Sequence, residues 1–151
     1  MSESVMNTRD KSKCIDERFR RIDRIFCEYA KACGINFPVL LILLEIFENP
    51  GCTQKQIVEQ TMLLKQTVNQ AVREFLDSGY VELRQNPANR REKSVFFTPE
   101  GEAYAASVLR PVFSAGDGVF SALSEEAYDT VMRVLFSYEQ AMENCLRKKR
   151  V

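Results

Sequence analysis

Four polar side chains within residues 63–83, LLKQTVNQAVREFLDSGYVEL, recur at the spacing of one helix face. They are Gln66, Asn69, Gln70 and Arg73. Asparagine and glutamine carry the paired donor and acceptor that match the major-groove edge of adenine, and arginine carries the fork that matches guanine. These residue types at this spacing predict a helix that contacts base pairs of duplex DNA, with an ordinary polar helix surface as the alternative.

Basic residues on both sides extend this predicted interface. Lys65 and Thr67 stand at the start of the helix, where a phosphate or a thymine methyl is the expected contact. Arg90 and Arg91, followed by Lys93, lie between two strand-like segments, and such a tip can reach the adjacent minor groove or its phosphates. The predicted DNA-binding residues are Lys65, Gln66, Thr67, Asn69, Gln70, Arg73, Arg90, Arg91 and Lys93.

A helix-turn-helix followed by a hairpin must position these side chains. The opposite face of the polar helix is apolar and is expected in the core; it consists of Val68, Ala71, Val72, Phe75 and Leu76. The helix begins near Lys65 and stops at Gly79, and a shorter helix precedes it, opened by a capping box of Thr53 and Gln56. After it, YVELRQ and KSVFF have the composition of two strands of a β-hairpin.

Longer helices are predicted on both sides of this unit. The first runs from about Ile15 to Cys33 with a heptad-like apolar seam, and the segment from Pro38 to Phe47 is a helix that is apolar nearly all round and central to the core. Thr98 followed by Pro99 starts a fifth helix, expected to be kinked or broken at Pro111 and loosened around Gly116 and Gly118. Ser124 opens a final helix with a second apolar seam. The predicted fold is mainly α with a small β-hairpin wing.

The composition excludes several classes of function. The 151 residues suit one domain, and their formal net charge is +0. Histidine is absent and the five cysteines form no CxxC pair, so histidine-based catalysis, a common zinc site and a disulfide framework are not expected. We therefore expect neither an enzyme nor a cofactor. The apolar runs are too short to span a bilayer and the N-terminus lacks a signal sequence, which predicts a cytoplasmic protein.

The order of these elements resembles the MarR family of winged helix-turn-helix transcription regulators. The resemblance covers most of the chain and is most specific in KQTVNQAVREFLDSGYVE, which is similar to the family's recognition helix, and in NRREKSVFFTPEG, which is similar to its wing. The chain departs from the family at Asn89, where an aspartate is usual before the arginine pair. It also departs at Leu64, where many relatives carry a small residue, a proline or a serine.

The resemblance implies a homodimeric regulator, most often a repressor, on a roughly palindromic operator with half-sites about 34 Å apart. It implies a single domain over residues 1–151, with dimerisation helices at about 15–36 and 99–147 and the winged helix-turn-helix at about 37–98. The seams on the first and last helices support a dimer, although intramolecular packing would also use them. An alternative is a winged-helix module that binds another protein and no DNA.

The resemblance also implies a response to a signal. Relatives commonly lose DNA affinity when a small, often aromatic, molecule binds, and the aromatic residues Phe26, Tyr29 and Phe37 are the candidate effector-binding positions. One branch of the family senses oxidants through a cysteine near the N-terminus. Cys14 is the candidate here, because Lys13 and a nearby helix N-terminus would favour its thiolate.

Overall fold

The computed structural model describes residues 7–85, 89 and 92–147, and these contain six helices and a two-stranded antiparallel sheet. In chain order the elements are α1 (Thr8–Ala32), α2 (Phe37–Glu48), α3 (Gln54–Thr61), α4 (Lys65–Asp77), β1 (Val81–Gln85), β2 (Lys93–Phe97), α5 (Pro99–Ala122) and α6 (Glu125–Arg147). The predicted fold class is confirmed. Packing divides the chain into two compact units, one through Leu109 and one from Arg110 onward.

The start of α1 differs from the prediction. The helix begins at Thr8 and not near Ile15, because Asn7 accepts a 3.0 Å hydrogen bond from the Asp10 backbone N–H and also donates to the Asp10 carboxylate. The first turns of α1 are polar and have no apolar periodicity, so the apolar seam did not predict them. No single helix among the described residues is long and apolar enough to cross a membrane; α1 and α2 pass such a test only as a pair, bent by 89°.

The core of the first unit is built around α2. Ile42, Leu43 and Ile46 of this helix have no solvent exposure, as the apolar segment predicted. Each such side chain stabilises the fold by about 1.5–3 kcal/mol relative to an exposed one. The largest fully buried side chains outside α2 come from four other elements and are Ile57, Val68, Val72, Val95 and Leu109.

The helix-turn-helix forms as the sequence predicts. Thr53 and Gln56 make both hydrogen bonds of the capping box at the start of α3, of 2.8 Å and 3.2 Å. The helix ends at Thr61, and its C-cap Met62 has a left-handed backbone at φ 56° and ψ 18° and donates its N–H to the Val58 carbonyl. Only the connection 62–64 separates α3 from α4, so the two helices pack directly on each other.

The C-terminal end of α4 is tied down by its own backbone. Gly79 has φ +72°, as its predicted role in stopping the helix requires. Its N–H donates to the Leu76 carbonyl, and the Tyr80 N–H donates to the Phe75 carbonyl at 2.8 Å. These two bonds form a Schellman motif and satisfy carbonyls that the helix end would otherwise leave exposed.

The start of α5 is fastened to the same place. The Thr98 hydroxyl donates to the Gly79 carbonyl at 2.7 Å and accepts from the Gly101 N–H, which confirms Thr98 as the helix cap before Pro99. Gly101 packs so closely that a Cβ added there would lie 1.7 Å from the Tyr80 carbonyl oxygen. The end of α4, the hairpin and α5 are therefore held at one fixed junction.

The hairpin is attached to the chain segment before α3. β1 and β2 pair antiparallel, from Val81 opposite Phe97 to Gln85 opposite Lys93. On the other edge of β2, the Val95 N–H donates to the Cys52 carbonyl, and the Gly51 N–H donates to the Val95 carbonyl. The middle of β2 is thereby bound to the segment that precedes α3.

Of the kink or break predicted in α5, the break is wrong. The helix continues from Pro99 to Ala122 with Pro111 inside it and stays helical at Gly116 and Gly118. Proline removes one backbone donor, so only the bond to the carbonyl four residues earlier is lost and the turns on either side persist. In the second unit Ser124 caps α6 by accepting from the Ala127 N–H at 3.2 Å, as predicted, and none of the described α6 residues is buried.

The junction at Gly101 makes a stability prediction. We expect Gly101→Ala to lower the free energy of unfolding by more than about 2 kcal/mol, because the new methyl group meets backbone and no flexible side chain. The matched control is Gly118→Ala, where no atom lies within 4 Å and the helix should gain about 0.5–1 kcal/mol. Urea unfolding followed by far-ultraviolet circular dichroism measures both, and equal stability of the two variants would contradict the close contact.

Candidate nucleic-acid interface

The two faces of α4 separate as the sequence predicts. The apolar face packs into the core, with Val68, Ala71, Val72 and Phe75 buried and Leu76 half-buried. The opposite face exposes the four polar side chains Gln66, Asn69, Gln70 and Arg73, which together with Lys65 line one shallow groove. Five of the predicted contact residues thus share one solvent-exposed surface, which we call the polar stripe of α4.

The N-terminus of α4 opens beside this stripe. Its first intrahelical bond runs from the Val68 N–H to the Leu64 carbonyl, and Leu64 at the cap position makes no side-chain hydrogen bond. Backbone N–H groups of a first helical turn have no intrahelical acceptor, and together with the helix dipole they favour an anion. Lys65 is exposed and Thr67 half-buried at this end, where the sequence analysis expected a phosphate contact.

Glu74 fixes the orientation of the Gln70 amide. The Gln70 Nε2 donates to the Glu74 carboxylate at 2.8 Å, one helical turn along the same face. A carboxylate only accepts, so the amide nitrogen must point to Glu74 and the amide oxygen is left to accept from another group. The amide nitrogen carries two hydrogens, so the bond to Glu74 uses one donor and leaves the second donor and the oxygen of Gln70 available for a base. The sequence analysis did not identify Glu74, although the spacing of four residues signals the pair.

The wing is described only in part. Lys93 is exposed at the end of β2, opposite Gln85. Arg84 on β1 pairs with the Glu82 carboxylate and lies over the Phe96 ring, with its guanidinium carbon 4.5 Å from the ring centroid. Arg90 and Arg91, the predicted tip residues, lie outside the described residues. At Asn89 the carbonyl accepts a 3.0 Å hydrogen bond from the Glu92 N–H.

The three aromatic residues proposed for effector binding pack within the first unit. Phe26 and Phe37 stack with ring centroids 6.2 Å apart, which joins α1 to α2. The Tyr29 hydroxyl donates to the Val108 carbonyl at 2.5 Å and so joins α1 to α5. Burial, with Cys33 alongside, raises the pKa of Tyr29 to about 12, so this phenol stays protonated at neutral pH.

A second aromatic pair was missed by the sequence analysis. Tyr80, after α4, and Tyr104, on α5, stack with centroids 4.4 Å apart and planes 10° from parallel. They line a groove together with residues of α2 and the end of α4, including Val39 and Phe75. Burial raises the pKa of Tyr104. The two residues are 24 positions apart in sequence, so no local spacing connects them.

The structure weakens the argument for a reactive Cys14. Because α1 begins at Thr8, this exposed residue is the seventh of the helix and lies beyond the first turn, where the helix dipole acts most strongly. Cys52 is buried, and burial together with the charge of Glu45 raises the pKa of its thiol to about 11. Over the described part of the chain, no three Cys, Asp or Glu side chains cluster in a way that could hold a metal ion.

Comparison with known proteins points to one family. A sequence model described as MarR family matches residues 34–92, which contain α2 to α4 and β1. The HTH-type transcriptional regulator BilQ of Clostridium symbiosum is 25% identical over 134 residues, which cover 86% of this chain and 92% of that regulator.

Solved structures share the fold. A MarR family regulator from Neisseria meningitidis superposes with a TM-score of 0.79 at 23% identity and covers 96% of this chain and 100% of its own. Staphylococcus aureus MarR in complex with salicylate and kanamycin superposes with a TM-score of 0.69 at 14% identity, over 91% of this chain and 93% of its own. The six-helix order and the hairpin are therefore those of MarR winged-helix structures.

The cysteines provide a test of the described burial. At pH 8 a thiol with a pKa of about 11 is only about 0.1% thiolate, and the thiolate is the nucleophile, so Cys52 should resist iodoacetamide. The exposed Cys27 and Cys145 should react first. Peptide mass spectrometry after timed alkylation measures this, and alkylation in urea, where all five cysteines should react, is the control. Modification of Cys52 in the folded protein as fast as Cys27 would contradict the structure.

Proposed function

We propose that the chain is a DNA-binding transcriptional regulator of the MarR family, which binds a specific duplex operator as a homodimer and represses transcription there; the family model over residues 34–92 and the similarity to known regulators support this. The family consists of regulators and not of enzymes. The polar stripe of α4 enters the major groove in this proposal, and the hairpin contacts the flanking backbone. The regulator acts in the cytoplasm, where its operator is located.

The exposure of the polar stripe is the observation that carries the proposal. Gln66, Asn69, Gln70 and Arg73 project from one side of a helix whose other side is buried, so a docked duplex would meet all four at once. Their donors and acceptors match base edges, which gives the contact its sequence preference. Thr67 and Lys65 add a hydroxyl and a positive charge at the helix end nearest a phosphate.

Local charge favours DNA although the whole chain is neutral. Lys65 and Lys93 are exposed on α4 and β2, and the sequence predicts two more cations, Arg90 and Arg91, between the two strands. Each phosphate neutralised by such a residue releases counterions, so affinity should fall steeply as salt rises. Glu74 works against this attraction and should limit binding to random sequences.

Exposed apolar surface supports the dimer. On α1 it comprises Ile15, Phe19, Ile22 and Ile25, and on α6 it includes Val131, Leu135, Phe136 and Leu146. Contiguous apolar faces of this kind mark interaction surfaces in soluble proteins. A second copy would cover them, and the two recognition helices would then meet half-sites about one DNA turn, roughly 34 Å, apart.

Release by a small aromatic molecule is the remaining part of the proposal. The Staphylococcus aureus relative was solved with salicylate, and this chain has aromatic pairs at Phe26 with Phe37 and at Tyr80 with Tyr104. An effector acts only if it binds the DNA-free geometry more tightly than the DNA-bound one. Addition of salicylate to the protein–DNA complex is the readout, and unchanged DNA affinity at millimolar salicylate would remove this ligand from the proposal.

The base contacts proposed for α4 are tested by comparing the affinities of two duplexes. Duplexes selected by the protein from a random-sequence pool should bind about 10³-fold more tightly than scrambled versions at the same salt concentration. Gln70→Ala should weaken the selected duplex about tenfold or more and the scrambled duplex little, because it removes a base contact. Fluorescence anisotropy titrations with both duplexes measure the two affinities.

Two further variants make that experiment decisive. Lys65→Ala should weaken both duplexes alike and reduce the salt dependence by about one phosphate contact. Gln140→Ala, an exposed glutamine on α6, should leave both affinities unchanged. Equal losses on both duplexes with Gln70→Ala would show that α4 does not read bases. Failure to bind any duplex at low salt would favour the alternative of a protein-interaction module.

A separate prediction concerns assembly. Leu135→Arg places a charge in the exposed apolar face of α6, so the protein should shift from dimer to monomer and lose DNA affinity while its helices remain folded. Gln140→Arg adds the same charge elsewhere on α6 and should remain dimeric. Sedimentation equilibrium at micromolar concentration distinguishes the two states. A wild-type protein that sediments as a monomer would refute the homodimer.

A further inference from the structure

Two large apolar side chains stand in solvent directly before the polar stripe. Met62 is 87% exposed and Leu64 is 77% exposed, and both lie in the connection between α3 and α4. The other exposed large apolar residues of the described chain lie on α1 or between Val119 and Leu146, with the exception of Phe47 at 38%. The proposed dimer gives a role to the faces of α1 and α6 but none to Met62 and Leu64.

The connection is a built turn, and it holds Leu64 in place. Met62 is the one described residue other than glycine with a positive φ, a conformation that costs free energy for an L side chain. The Thr61 hydroxyl donates to the Ile57 carbonyl at 2.5 Å and accepts from the Leu63 backbone N–H at 3.4 Å, and Leu63 is half-buried. Leu64 then follows as the N-cap of α4, with an extended backbone and an exposed side chain.

Leucine is a poor choice at this position for stability alone. It is among the least favourable residues for a helix cap, and here it makes no side-chain hydrogen bond. Its isobutyl group is 77% exposed, so it also adds little apolar burial. A residue that is unfavourable both as a helix cap and as an exposed apolar side chain, with no gain in stability, is expected at a functional site.

The chemistry of the DNA major groove indicates which group the Leu64 side chain would contact. The first residues of a recognition helix lie against base edges, and the one apolar group on those edges is the 5-methyl of thymine. Leu64 lines a surface groove together with Gln66 and Gln70 of the polar stripe, so a duplex that contacts the stripe would also meet Leu64. We propose that Leu64 selects a thymine in each half-site through contact with its 5-methyl group; this rests on the proposed binding of α4 in the major groove.

The experiment removes that methyl group and nothing else. In the duplex selected by the wild-type protein, each thymine is replaced in turn by deoxyuridine, which keeps the base pairing. One position per half-site should cost the wild-type protein about fourfold in affinity, the value of one buried methyl group. Leu64→Ala should bind the thymine duplex several-fold more weakly and should no longer respond to deoxyuridine at that position.

Two variants exclude trivial explanations. Met62→Ala removes an equally exposed side chain two residues away and should keep the response to deoxyuridine. Leu64→Ser supplies a helix cap, so it should raise the thermal midpoint of unfolding while losing the response, which separates recognition from folding.

Each outcome bears on a different statement. If no position in the selected duplex depends on the methyl group, or if Leu64→Ala keeps the full response, the thymine contact is refuted while sequence-specific binding stands. A loss with Leu64→Ala that is equal for thymine and deoxyuridine would place the side chain on the sugar–phosphate backbone and also overturn the assignment. If the random pool yields no preferred duplex, the proposed function fails first and the inference fails with it.

Discussion

A helix can bury only one face against a core of this size. The face of α4 that is buried therefore determines which of its side chains remain exposed for binding. Val68, Val72 and Phe75 supply several kcal/mol of apolar burial, enough to fix the rotation of the helix about its axis. With that rotation fixed, the polar stripe must face solvent. The exposed amides are thus a consequence of packing on the opposite side.

The two ends of α4 are held very differently. At the C-terminal end, the Schellman motif and the close contact between Gly101 and Tyr80 attach the helix to α5 and the hairpin. At the N-terminal end, Leu64 gives no capping bond, and the turn at Met62 is conformationally costly. The rigid end maintains the geometry, so the open end can leave its backbone donors and apolar side chains available for a ligand.

The long helices show a limit of periodicity. The seams on the first and last helices correctly identified apolar faces, and the structure leaves much of those faces exposed. An apolar seam indicates that a surface is removed from water, but it does not indicate which chain covers that surface. The exposed faces of α1 and α6 are therefore assigned to a proposed second copy of the chain. The same limit applies to the aromatic candidates, since stacking of Phe26 on Phe37 and an effector cage require the same residue types.

The sequence by itself determined the order of the elements, the caps at Thr53 and Thr98, the hairpin, and the division of α4 into two faces, because these depend on residues within a few positions of each other. It misplaced the start of α1, which the capping bond of Asn7 sets, and it predicted a kink or a break at Pro111, where the helix is unbroken because the bonds of the neighbouring turns persist. Only the tertiary structure decided the approach of Gly101 to Tyr80 and the stacking of Tyr104 on Tyr80. Those contacts join residues from different elements, and their distances follow from packing rather than from spacing along the chain.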